Sequence, residues 1–497
     1  LNMHSDNLSF FSHNALLLHH DPVPAMAHNI LQKYGNKYTS LDLDDSDSLN
    51  SDSDDDFSID SKLDDVLSTY ERSIIHRYVN SIQTTNHVDE DREYPIWERR
   101  DRRPNRFGFK FRNIYHSNYY RKFLQPSVRA QIYEQSCNRS STFRSLFCMP
   151  LSKIDYLTDM FISRGWVTYT HRCREPQKLF DRTQILIMTS LEHMGNRRPF
   201  RQFPVATELC PEEHRRFFLK FLANLSSCAD EWVRLPNTME DLIPLMKQYQ
   251  DVHLPGAVGS IDVVHCKWAH CPAGDYVRAR GKEQYASLAF EVISDNRRRI
   301  LSVAPVQFGL RNDQHIVRLD PVVRKIRNEW YKDVVWELFD IHGNAKLSRG
   351  VYLICDGGYL HWQTLISPYK GESCSSRKGY FSTNLESVRK DVECTFGILK
   401  KRWRILNNVF YQREIGICEK IFVTCCCLNN FLLDLMEKSN IRIGRGGPMG
   451  DDGLWLSGQN TIDAEETDRV LSTQFIQRRN LLVQHLHYYR QKGAITE

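Results

Sequence analysis

Three carboxylates in this sequence of 497 residues fall where the local pattern gives an acid chemical work to do. Asp262 sits in the middle of GSIDVVHCKW, which reads as a strand. Asp356 sits where the apolar run GVYLIC stops, and Gly357 and Gly358 let the backbone turn sharply there. Strand ends are where open α/β sheets place ligands. Glu393 lies in LESVRKDVECTFGILKKRWRIL, whose apolar stripe is Leu385, Val388, Val392, Phe396, Leu399 and Trp403, a helical period. At about 100° per residue, Glu393 lies roughly 80° from the centre of that stripe, at the edge of the buried face. Arg389 and Lys400 share its flank, Asp391 points to the other, and Glu386 shares the flank of Glu393 and stays open as an alternative. Converging carboxylates offer oxygen-only ligands, which suit Mg²⁺ or Mn²⁺. Two such ions about 3.5–4 Å apart activate water and stabilise the leaving oxygen of a phosphodiester. The basic residues Arg389, Lys400, Lys401 and Arg402 would then hold a DNA backbone. For any one of these acids taken alone, a cap or a solvated surface position is the commoner fate.

The elements that must position these acids are legible from periodicity. YASLAFEVISD and RRRILSVAPVQF read as two strands joined at Asp295 and Asn296, and VTCCCLNNFLLDLM reads as a helix. Strands followed by helices predict an α/β domain over residues 251–437. Residues 66–250 read as mainly helical: FRSLFCMPLSKIDYLTDMF and FDRTQILIMTSLEHM repeat apolar residues at three and four, and EEHRRFFLKFLANL opens on acids after Pro211, as a helix start should. Residues 438–497 read as a Gly-rich loop and a C-terminal helix.

The net charge of +5 conceals an asymmetry. Residues 1–65 hold thirteen Asp and three Lys, a net of −10, which leaves about +15 for the rest. Their Asp/Ser stretch cannot bury enough apolar surface to fold, so a disordered acidic tail is expected. A basic body behind it suggests a polyanion partner. Residues 99–129 hold ten Lys or Arg against Asp101, interleaved with Phe107, Phe109, Phe111, Tyr115, Tyr119, Tyr120 and Phe123. Arg99, Arg100, Arg102 and Arg103 are candidate DNA contacts, and the rings either stack on bases or fill the core. The fourteen cysteines lack an ordered spacing and form no CxxC pair, which suggests reduced thiols in the cytosol or nucleus. No run of eighteen apolar residues predicts a membrane span, and no secretory signal is read at the N-terminus.

Four blocks in order resemble the PIF/Harbinger transposases, a DDE superfamily, and are most similar to the plant transposon protein branch: GSIDVVHCKWAHCP, FGLRNDQHIVRLD, LICDGGYL and VRKDVECTFGILKKRWRIL. The later CCCLNNFL resembles the closing helix of that family, which usually reads His-Asn where this chain has Leu428, Asn429 and Asn430. The resemblance spans residues 140–437. It implies an RNase H-like catalytic core behind the helical N-terminal region, with Asp262, Asp356 and Glu393 as ligands of Mg²⁺ or Mn²⁺. Asp313 matches a motif position without an assigned role. The chemistry implied is DNA strand cleavage by water and strand transfer at transposon ends, in the nucleus, by a homo-oligomer helped by a Myb-like partner.

Rival signals are weaker. His265, Cys266, His270 and Cys271 lack zinc-ligand spacing, and His265 and Cys266 would face opposite sides of a strand. LSRG and GRGGPMG lack the Lys-Ser/Thr ending of a P-loop. The second functional reading is a domesticated transposase that binds DNA or a protein without cutting, which the basic segment and the acidic tail would serve.

Overall fold

The computed structural model describes residues 113–134, 138–168, 175–236, 238–281, 284–328, 331–407, 409–438 and 473–493. The acidic tail, Arg99, Arg100, Arg102, Arg103 and the Gly-rich loop lie outside the described residues. The described residues all fall in one compact unit, Phe109–Glu497.

A helical layer comes first: α1 (Pro126–Tyr133), α2 (Asn138–Phe147), α3 (Leu151–Ser163), α4 (Pro176–Asn196), α5 (Pro211–Ser227) and α6 (Met239–Gln250). The single periodic run read over FRSLFCMPLSKIDYLTDMF is two helices. Cys148 takes a positive φ of 56° and Pro150 precedes the first turn of α3, so the chain breaks between them. Acids Glu212 and Glu213 open α5.

The sheet follows. Its strands are β1 (Ala257–Trp268), β2 (Ser287–Ser294), β3 (Ile300–Val303), β4 (Gln307–Phe308), β7 (Tyr352–Ile354), β8 (Leu365–Ile366) and β9 (Val409–Phe410). The order along the main path is β3-β2-β1-β7-β8. β3, β2 and β1 pair antiparallel, whereas β7 and β8 continue parallel to β1. Asp295 makes the β2–β3 turn by accepting from the amides of Arg297 and Arg299 at 2.9 and 2.8 Å. A separate hairpin, β5 (Val335–Phe339) and β6 (Ala345–Arg349), is absent from the pattern read above. Two short helices, α7 (Asp313–Leu319) and α8 (Pro321–Asn328), lie between β4 and β5.

The covering helices are α9 (Arg377–Arg402), α10 (Arg404–Asn407), α11 (Ile415–Lys438) and α12 (Thr473–Gln491). The expected stripe of α9 is buried throughout, from Leu385 to Trp403. Ser376 caps its start by accepting from the Gly379 amide at 2.9 Å. Ile415–Asp434 has the length and composition of a membrane span, but it is packed as a core helix, with Cys418, Ile421, Phe422, Cys425 and Cys426 buried against the sheet and α5. Two asparagines fix α11. Asn430 takes both the amide and the carbonyl of Ile300 on β3, at 3.0 and 2.7 Å, and Asn429 accepts from Arg402 of α9 at 2.9 Å. The expected alternative for the aromatic segment resolves toward the core over its described part. Tyr119 is buried and bonds Glu192, and Phe123 packs edge-on against Phe143 and Phe147.

Candidate functional site

Asp262 is the sixth residue of the twelve in β1. The parallel register pairs Ser260 with Ile354. Two further steps on each chain bring Asp262 alongside Asp356, on neighbouring strand lines about 4.8 Å apart. Asp356 lies just beyond β7, where its Oδ1 accepts from the Gly358 amide at 2.8 Å. That bond folds the carboxylate over the turn. A Cβ at Gly358 would stand 3.0 Å from Asp356 Oδ1 and 3.2 Å from Asp313 Oδ2. A glycine is therefore what leaves room for two carboxylates here. Asp313 opens α7, next to the cap residue Asn312. It joins the two aspartates from the motif position that had no role.

Glu393 comes from α9, and its nearest partner is not another acid. Arg389, one turn earlier, donates to Glu393 Oε1 at 2.8 Å and lies 3.5 Å from Asp262 Oδ2. The guanidinium thus bridges the helix to the strand. Its side chain is 17% exposed, against 20% for Asp262 and 44% for Glu393. Burial works against the Arg389 charge, but Glu393, Asp262 and Asp356 more than offset it, and its pKa is raised. Burial pushes the Asp262 carboxyl up to about 7; Asp356 and Asp313 add to the rise while Arg389 opposes it. Three acids around one arginine is the charge arrangement of a cation site whose cation is supplied by the protein itself.

The donor set is hard oxygen, which fits Mg²⁺ or Mn²⁺. Among the described residues, however, no three His, Cys, Asp or Glu side chains stand within metal-holding distance of one another. Arg389 occupies the ground between Asp262 and Glu393. Glu386 is exposed on α9. Asp391 lies toward Tyr249 of α6, on the opposite flank as expected.

Of the expected DNA contacts, Arg389 is engaged as described, and Lys400 Nζ donates to the His265 carbonyl of β1 at 3.3 Å. Lys401 is exposed, and Arg402 is partly buried against Asn429. His265 faces Ser287 Oγ, 3.3 Å away, while Cys266 is buried in the core.

Sequence reasoning missed two features. The first is Arg389 as partner of the acids, although its i, i+4 spacing to Glu393 was there to be read. The second is a wholly buried pair, Glu291 on β2 and Asp320 between α7 and α8, behind the site. Burial pushes both carboxyls up, Glu291 well above its ordinary value. Asp320 caps α8 through the amides of Val322 and Val323, at 2.7 and 3.2 Å. An acid inside an apolar strand such as LAFEVIS carries no local signal of its partner.

The comparisons with known proteins support a transposase-derived protein. Residues 230–439 match the plant transposon protein family. Protein ALP1-like from Arabidopsis thaliana is 20% identical over 305 residues, which cover 60% of this chain and 72% of that protein. No solved structure matches the chain.

Proposed function

We propose that this protein is a divalent-metal-dependent DNA endonuclease and strand transferase, with Asp262, Asp356 and Glu393 as the metal ligands. The observation that carries the reading is the meeting of Asp262 and Asp356 on parallel strand lines, with Glu393 joined to Asp262 through Arg389. The strand order β3-β2-β1-β7-β8, antiparallel then parallel, supports an RNase H-like core. Bound Mg²⁺ or Mn²⁺ would supply Lewis acidity at the phosphodiester and a lowered pKa for attacking water. The chain's own part is to orient. The Gly358 amide holds the Asp356 carboxylate, the register of β1 and β7 sets its distance from Asp262, and Arg389 keeps Glu393 turned toward the strand. For Glu393 to serve as a ligand, Arg389 must give up its bond, and a DNA phosphate is a fitting new partner for a guanidinium. Transposon ends and target DNA in the nucleus are the proposed substrate and place. Arg99, Arg100, Arg102, Arg103, Lys401 and Arg402 are proposed backbone contacts, and a second copy and a Myb-like protein are proposed partners.

A second reading is favoured by one observation: the Glu393 carboxylate is already neutralised by Arg389. A domesticated binder that no longer cuts would keep that bond permanently. Nicking of supercoiled plasmid by the full chain, with Mg²⁺ or Mn²⁺ and with EDTA, separates the two. The enzyme reading expects metal-dependent nicking that Asp356→Asn lowers by roughly a hundredfold or more without unfolding the protein. Equal rates for Asp356→Asn and the parent chain would reject it, and absence of nicking with DNA binding intact favours the second reading.

A further inference from the structure

At the far end of α9 a cavity of about 360 Å³ opens between the helical layer and the core. Four of its nine lining residues are cations, Arg144, Lys401, Arg402 and Arg404, and none is acidic. They come from three elements: Arg144 from α2, Lys401 and Arg402 from the last turn of α9, and Arg404 from α10. The last turn of a helix favours cations by itself, which accounts for Lys401 and Arg402. It does not account for Arg144 reaching in from another layer, nor for Arg404 beyond the helix end.

Arg402 supplies the second observation. Its side chain is partly buried, and its bond goes to the neutral amide of Asn429. Among the described residues no carboxylate forms an ion pair with it. A buried charge without a counter-charge is costly unless a partner arrives from outside. Arg144, Lys401 and Arg404 are exposed around it, so the partner can enter from solvent.

We infer that this cavity is an anion site for the phosphates of a duplex DNA backbone. Guanidinium groups match phosphate oxygens in paired hydrogen bonds. Glu393 and Lys401 are eight residues apart, about 12 Å along the helix. That is roughly three or four phosphate steps of one strand at about 3.4 Å each. On the helix, however, Arg402 is turned about 180° from Glu393, so the cavity would hold a different stretch of backbone from the one at the acids. The inference rests on the reading that DNA is the ligand of this fold, and it does not depend on cleavage.

The test uses the full chain in EDTA, so that cutting plays no part. Binding of a fluorescent duplex of arbitrary sequence is measured against salt for the parent chain and for the triple variant Arg144→Ala, Lys401→Ala, Arg404→Ala. Each lost phosphate contact should lower the log–log salt slope by about 0.9, so a drop of about two to three is expected, with affinity down tenfold or more. Cys148 provides a local probe, because its thiol lines the cavity and donates to the Arg402 carbonyl at 3.3 Å. Peptide-resolved alkylation of Cys148 should slow when duplex is added. An unchanged slope, or protection of Cys148 by inorganic phosphate but not by duplex, overturns the inference. A chain that never nicks but shows the slope change keeps it, while the nuclease reading falls.

Discussion

The middle and the C-terminal end of α9 (Arg377–Arg402) solve opposite electrostatic problems in one helix. Toward its middle, Arg389 stands among Asp262, Asp356 and Glu393 and offsets part of their charge within the protein. At its C-terminal end, Arg402 faces a neutral amide in a cavity lined with three further cations. On the proposed reading the first place takes a cation once Arg389 moves, and the second takes an anion as it stands. A polyanion accompanied by divalent metal would satisfy both at once.

The contrast is broken or sharpened most strongly by removing each arginine. Arg389→Met leaves Asp262 and Glu393 facing one another with no counter-charge. The expected cost is about 2 kcal/mol in urea unfolding with EDTA, partly recovered by Mn²⁺. Arg402→Met removes a partly buried charge that lacked a counter-charge, and its cost should stay within about 1 kcal/mol, since only the bond to Asn429 is lost. Equal losses for the two would show that the arginines do the same job and that the contrast is empty.

A smaller effect, in the helical layer that carries the basic end, comes from pH. His214 is buried between Thr189 and Thr207, whose hydroxyls lie 3.0 and 2.9 Å from its two ring nitrogens. Burial pulls its pKa down to about 3. The folded state therefore refuses a proton that the unfolded chain accepts. The stabilisation is full above about pH 6.5 and is lost as pH falls below it, by at most about 1.4 kcal/mol per pH unit. Between pH 6.5 and 5.5 the loss from this group should be about 1 kcal/mol, and His214→Gln should flatten that part of the curve. An unchanged slope in the variant would place the acid sensitivity elsewhere, for instance at the carboxylates.

Much of this architecture was legible because its signals are local. The stripe of α9 repeats every turn, β1 and β7 are apolar runs bounded by turn residues, and Pro211 with Glu212 and Glu213 marks a helix start. What escaped depends on distant partners. The β5–β6 hairpin turns at Gly343, with φ of 86°, and Asp340 accepts from the amides of His342 and Asn344; one short alternation of exposed and buried residues marks it. The rings of Tyr119 and Phe123 gave equal support to stacking on bases and to packing, and only α2 and α4 folding over them decided it. The three acids were legible as candidates, whereas the arginine that joins two of them was read as a DNA contact. Charge compensation is a property of the assembled site, and a spacing rule on one helix shows only half of it.

The central claim is that the acids around Arg389 bind a divalent cation through Asp262, Asp356 and Glu393. Titration of Mn²⁺ into the full chain, followed by the loss of the free-ion paramagnetic resonance signal, tests it directly. The account predicts saturable binding that is weakened by roughly tenfold or more in Asp262→Asn, Asp356→Asn and Glu393→Gln and kept in Glu386→Gln. Absence of saturable binding, or binding that survives all three substitutions, would contradict it.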